Sequence, residues 1–216
     1  QGKVGGIILF GENIDSNIAS VVQNFQDTYA QSSAYAGSPL LIMTDQEGGE
    51  VNRLPGGPAM SAKDIGSSSN PTAAATQAGQ QAASILKAAN LNANLAPVLG
   101  VYRQAGDFLD QYERSFGDYS GIVSECASAW ISAQQSGGVI ATAKHYPGLG
   151  LASSSQNTDV RPVTLTAPLN TLRGVDEDPY TDAIAAGVDM IMASWAVYPA
   201  MDATYPAGLS TAWIQS

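Results

Sequence analysis

Lys144 and His145, the latter the only histidine of the chain, adjoin a short run at 138–143 that is apolar and β-branched. Such a run reads as a strand buried on both faces. The basic pair then falls at its C-terminal end, where barrels and open parallel sheets bind ligands. Asp45 holds the equivalent place after the apolar run 40–44 and opens a glycine-rich polar loop, 45–57, long for a strand-to-helix connection. A carboxylate there is costly to desolvate unless it binds something or caps a turn. Lys144 suits either a ligand or an ion pair with Asp45, and His145 either the pocket or a satisfied structural position. A second polar loop, 98–119, carries Arg103, Asp107, Asp110, Arg114, Ser115 and Asp118; Arg114 fits a pocket or the surface. Trp195 and Tyr198 follow the apolar run 188–193, where an aromatic ring stacks on a ligand or plugs the mouth by packing. Asp159 lies in a Ser-rich loop, as a general acid if partly desolvated or as a solvated turn residue.

Delivering these groups to one face requires strands that end together. Strand-like runs at 4–10, 40–44, 91–97, 138–143 and 188–193 alternate with helical patterns at about 15–34, 71–89, 120–135 and 178–186. On the first helix Ile18, Val22, Phe25 and Tyr29 share a face. Ser120 and Asp178 are expected as N-caps, and 210–214 reads as the first turn of a further helix. Alternation of this kind predicts a parallel α/β sheet, and functional loops after several strands favour a barrel. About five strands are legible, against the eight of a closed (β/α)8 barrel. Residues 1–216 therefore read as a single partial barrel domain, whose open edges call for a second chain or segment to complete it.

Composition narrows the function. The 216 residues are 44% hydrophobic and carry 19 acidic against 9 basic side chains, a formal charge of −10. With no basic stripe to neutralise phosphates, nucleic acid is not an expected partner. No apolar run reaches the roughly 20 residues of a membrane span. The lone Cys126 excludes an intrachain disulfide and reads as a core thiol. G-x-G-x-x-G between a strand and a helix is absent, as is G-x-x-x-x-G-K-[ST]; no cofactor and no metal are expected.

Six segments together resemble the N-terminal barrel of glycoside hydrolase family 3, and within it the β-N-acetylhexosaminidase-like branch. They are 4–10, Asp45-Gln46-Glu47-Gly48-Gly49 with 51–54, Ala96-Pro97, Arg114-Ser115-Phe116-Gly117-Asp118, Lys144-His145-Tyr146-Pro147-Gly148 and Ala186-Gly187-Val188-Asp189, in family order along nearly the whole chain. The resemblance implies a TIM-type (β/α)8 barrel and a carbohydrate substrate. It implies that Asp45 binds sugar hydroxyls while Arg114, Lys144 and His145 line the same pocket. Such roles suit the chemistry, since a carboxylate accepts from vicinal hydroxyls while Arg and Lys donate to other sugar oxygens. Glu47, Arg53 and Asp118 are expected to hold loops in shape.

Two departures from the family pattern bear on mechanism. The nucleophilic Asp of a G-V-[VI]-x-[ST]-D segment has no counterpart here and is expected beyond residue 216. The branch also continues K-H-F-P-G-H-G and then D-S-H, whose Asp and His form an acid/base dyad; this chain runs Leu149-Gly150-Leu151 into the Ser-rich loop. Asp159 is the nearest carboxylate to replace the dyad. Two functions stay open: a retaining exo-glycosidase acting on terminal β-linked N-acetylhexosamine or a related β-glycoside, or a non-hydrolytic sugar-binding relative or inactive fragment. The sparse Lys and abundant Ser, Thr and Gly favour a secreted or cell-envelope protein without excluding the cytoplasm.

Overall fold

The computed structural model describes residues 4–215. Five short strands run parallel: β1 (Gly6–Ile8), β2 (Leu41–Thr44), β3 (Ala93–Asn94), β4 (Thr142–Tyr146) and β5 (Met190–Ala193). Ile7 pairs with Ile42, Met43 with Ala93 and Thr142 with Met190, while parallel bridges Ala93–Ile140 and Val98–Lys144 join β3 to β4. Order in space thus follows order in the chain, as in a TIM-type barrel. The described strands make an open arc of that barrel. Ile8 and Ile191, on the two edge strands, are each 44% exposed.

Residues alternate between the two faces of each strand. Met43, Ala93 and Leu95 form the inner core with Leu41, Ile140, Met190 and Met192. Ile42, on the opposite face, joins Leu9, Val22, Leu86 and Val139 beneath the outer helices. Those helices are α1 (Ile18–Ala30), α2 (Pro71–Ala88), α3 (Ser120–Ser136) and α4 (Asp178–Ala185). Asn70 caps α2 by accepting from the Ala73 N–H at 3.2 Å, with Pro71 at the first position where a missing N–H costs nothing. The alanine face of α2 admits α3 closely: a Cβ on Gly79 would lie 2.6 Å from the Trp130 carbonyl oxygen. Cys126 is a core thiol of α3, and burial pushes it up to about 12.

Several local expectations shift. Strand β4 runs to Tyr146, so Lys144 and His145 lie within its last turns of pleat rather than after it. Carbonyls of Ala96 and Pro97 still accept from Thr142 and Lys144 N–H groups, at 2.9 and 3.2 Å, which extends the ladder past Asn94. The segment 45–57 is no simple loop: Gln46–Gly48 pairs antiparallel with Val51–Asn52. Phe25 is 45% exposed, so α1 buries only Ile18 and Val22. Ser120 is the first residue of α3 and caps nothing; Tyr119 precedes it without a side-chain cap. Asp178 likewise begins α4, because the chain enters already wound through a wide turn at Leu172–Asp176. Ser210 does cap the short helix Thr211–Ile214, accepting from Trp213 N–H at 3.3 Å. No described helix is long and apolar enough to cross a membrane.

Candidate active site

Asp45 and Glu47 sit one residue apart in an extended segment, which sends both side chains to the same face at the mouth of the arc. Gln46 points the other way and is fully engaged. Its Oε1 accepts from Arg53 and Leu54 N–H groups while its Nε2 donates to the Leu54 and Gly57 carbonyls. This buried amide fixes the hairpin that carries the two acids. Asn94 adds a further tie by accepting from Gln46 N–H at 3.0 Å.

Lys144, 2% exposed on the inner face of β4, reaches both acids. Its Nζ lies 2.5 Å from Asp45 Oδ1 and 2.7 Å from Glu47 Oε1. Arg114 enters from the loop after β3, where Ser115 Oγ donates to the Gly100 carbonyl at 2.6 Å. It grips Glu47 in two bonds of 2.8 Å, from Nε to Oε2 and from Nη2 to Oε1. Burial works to raise the Glu47 carboxyl, but Lys144 and Arg114 overcome it and hold the group well below the usual carboxylate range. Burial likewise opposes the charge of Arg114, and Glu47 more than restores it.

His145 is half-buried, with an Nδ1 that is out of solvent and has no hydrogen-bond partner among the described residues. Burial, reinforced by the positive Lys144 and Arg114, drives its pKa well below 6.5. The imidazole is therefore neutral near pH 7, able to donate from one nitrogen and accept at the other.

These groups form the floor of a cleft of about 340 Å³. Six of the residues singled out from the sequence line it: Asp45, Arg114, Lys144, His145, Asp159 and Trp195. Trp195 is 57% exposed, on the lip after β5. Asp159 occupies the lip as an exposed residue of a side-chain-stabilised turn, its N–H donating to Asn157 Oδ1 at 2.8 Å. It is close enough to Arg114 to favour that charge. Tyr198 is a packing residue instead: wholly buried, it donates to the Gly148 carbonyl at 2.7 Å and lies 3.0 Å from Ser194 Oγ.

Glu47 and Arg53, read from sequence as loop-holding residues, also line the cleft, as does Phe10. For Glu47 the available signal was its two-residue offset from Asp45; for Arg53 and Phe10 the sequence carried none. Asp118 is not part of the lining. Among the described residues no three His, Cys, Asp or Glu side chains are grouped to hold a metal ion.

The chain matches the model of the glycosyl hydrolase family 3 N-terminal domain over residues 1–216. It is 53% identical over 213 residues to an uncharacterized secreted glycosyl hydrolase of Arthroderma benhamiae, covering 99% of this chain and 60% of that protein. It is 32% identical to a beta-hexosaminidase of Nitrosomonas eutropha, covering 98% and 60%. Among solved structures, a family 3 β-N-acetylglucosaminidase from Paenibacillus superposes with a TM-score of 0.85 at 30% identity, over 98% of this chain and 40% of that one. NagZ from Neisseria gonorrhoeae gives 0.82 at 26%, over 97% and 60%. The chain spans about three fifths of the length of the curated relatives it matches. With its parallel strands in family order and its basic and acidic groups gathered at their C-terminal ends, the chain belongs to glycosyl hydrolase family 3, as its N-terminal barrel domain.

Proposed function

We propose that the protein is a retaining exo-glycosidase that removes terminal β-linked N-acetylhexosamine. The observation that carries the reading is the charged floor of the cleft, where Asp45, Lys144, Glu47 and Arg114 form one chain of contacts of 2.5–2.8 Å beside a neutral His145. Such a floor matches a polyhydroxylated ring: Asp45 accepts from hydroxyls, and Lys144 and Arg114 donate to ring-borne oxygens. Trp195 offers its exposed face to the apolar face of a sugar. The relatives named β-hexosaminidase and β-N-acetylglucosaminidase support the substrate class and favour hydrolysis over sugar binding alone.

In a retaining reaction a carboxylate attacks the anomeric carbon while an acid protonates the departing glycosidic oxygen. Water then enters, deprotonated by that same residue, and releases the sugar with net retention. We assign the acid/base role to Asp159, on the lip of the cleft, and the nucleophile to an Asp outside residues 1–216. We further propose that residues 1–216 form one barrel domain, that a segment outside them closes the arc along β1 and β5, and that the protein is secreted, as its Arthroderma relative is described to be.

The test is hydrolysis of an aryl β-N-acetylglucosaminide by the protein and its Asp159→Asn variant. The variant is expected to lose about 10²–10⁴-fold in turnover, the range of general acid–base catalysis. Unchanged turnover with an unchanged pH–rate profile would remove Asp159 from the mechanism. Sugar binding without any hydrolysis by the unaltered protein would refute the glycosidase reading.

A further inference from the structure

We infer that Glu47 is the positioning residue of this site: its negative charge holds Lys144 and Arg114 together and aims their remaining donors at the sugar. The inference rests on the sugar-binding reading above. Glu47 is itself fully committed. Oε1 accepts from Lys144 Nζ at 2.7 Å and Arg114 Nη2 at 2.8 Å, and Oε2 accepts from Arg114 Nε at 2.8 Å. With its side chain only 6% exposed, it presents little surface to a ligand.

Its neighbours are left with groups to offer. Asp45 uses Oδ1 on Lys144, and its Oδ2 has no partner among the described residues. Among the described residues, Lys144 uses two of its three ammonium hydrogens and Arg114 keeps Nη1 unbonded. The planar guanidinium is locked by its two-pronged contact, so the direction of Nη1 is fixed as well. Two cations meet at one carboxylate oxygen, an arrangement that would repel itself without the charge between them.

Charge and shape make different predictions. If charge is what matters, Glu47→Gln, isosteric and neutral, should leave the fold intact and weaken sugar affinity by at least about thirtyfold, the lower range for losing one partner of a buried charge pair. In Glu47→Ala the two cations face an empty place that fits a small carboxylate. Acetate should then restore much of the affinity, whereas acetamide, of similar shape but neutral, should not.

The experiment is calorimetric titration of N-acetylglucosamine into the unaltered protein and both variants, without addition, with acetate and with acetamide. Thermal melts accompany each, and aryl-glycoside hydrolysis is measured in parallel. Weak binding by both variants, with rescue of Glu47→Ala by acetate alone, is the expected result. Affinity of Glu47→Gln within threefold of the original would overturn the inference, as would equal effects of acetate and acetamide. If Glu47→Ala does not fold, Glu47→Gln decides alone. Binding without hydrolysis by the unaltered protein would remove the glycosidase reading and leave this one standing; no sugar binding at all would overturn both.

Discussion

Replacing Asp176 by Asn should alter how stability depends on pH. The Asp176 side chain is wholly buried; Oδ2 accepts from Arg103 Nη2 at 2.7 Å, and Oδ1 is buried without a partner among the described residues. Glu177, Tyr180 and Tyr198 are the other titratable groups that face it. Burial, only partly offset by Arg103, raises its carboxyl from 3.8 to about 7. A folded-state value above the unfolded one means that the native protein holds the proton more tightly. The stability gained is therefore fully present below pH 3.8 and is lost as pH rises through about 7. Between pH 5 and pH 8 the loss is on the order of 2–3 kcal/mol. Denaturant unfolding of the protein and of Asp176→Asn at pH 5, 6, 7 and 8 measures it. Asn is neutral, like the protonated carboxyl that the native protein holds below about 7, and does not titrate, so the variant lacks this pH dependence. The stability of the variant relative to the original should rise by that same 2–3 kcal/mol from pH 5 to pH 8. A relative stability that stays flat across this range would refute the reasoning. Gly148, three residues past His145, packs on the same carboxylate, since a Cβ there would lie 3.1 Å from Oδ1; the turn that follows the site is thus tied to this titration.

Asp45→Asn keeps the shape of the side chain but removes a charged acceptor held 2.5 Å from Lys144. Losing a charge-assisted bond to a sugar hydroxyl should weaken N-acetylglucosamine binding by about 10–100-fold, read by calorimetry. Trp195→Ala should reduce affinity severalfold while leaving unfolding free energy within about 0.5 kcal/mol, because a ring 57% exposed contributes little to the core. A large loss of stability would assign Trp195 to packing instead.

The strand order was legible because five apolar runs, each followed by a helical pattern, leave a parallel arrangement as the economical way to bury them. The same regularity exposed Asp45, Lys144 and His145, since a polar residue at the end of such a run is conspicuous. Arg114 was placed by the motif around it, and Trp195 by its position after the apolar run 188–193. Glu47 was hidden by its context: in a glycine-rich polar stretch a second carboxylate resembles a turn residue. The hairpin of Gln46–Gly48 with Val51–Asn52 supplies the extended backbone on which their two-residue offset puts Asp45 and Glu47 on one face. Caps were misjudged where a helix began without help, as at Tyr119, or was already wound, as at Glu177.

Leu149 explains why a substitution inside the most recognisable motif is tolerated by the fold. Where the resemblance leads one to expect a histidine, the leucine is 3% exposed and packs with Val98, Leu109, Leu165 and Trp213. The carbonyl of Leu149 accepts from Ala152 N–H at 3.0 Å, and the Ala152 carbonyl accepts from Phe108 N–H at the same distance. The segment after His145 is thereby anchored into a hydrophobic cluster instead of offering a titratable group to the cleft. Farther along the loop, Asp159 is the carboxylate that reaches the lip of the cleft. In the free protein Asp159 is solvated. A bound sugar lying against Trp195 would exclude water from that lip. Under the proposed acid/base role of Asp159, the pH dependence of kcat, which reports the bound complex, should change in Asp159→Asn more than that of sugar binding.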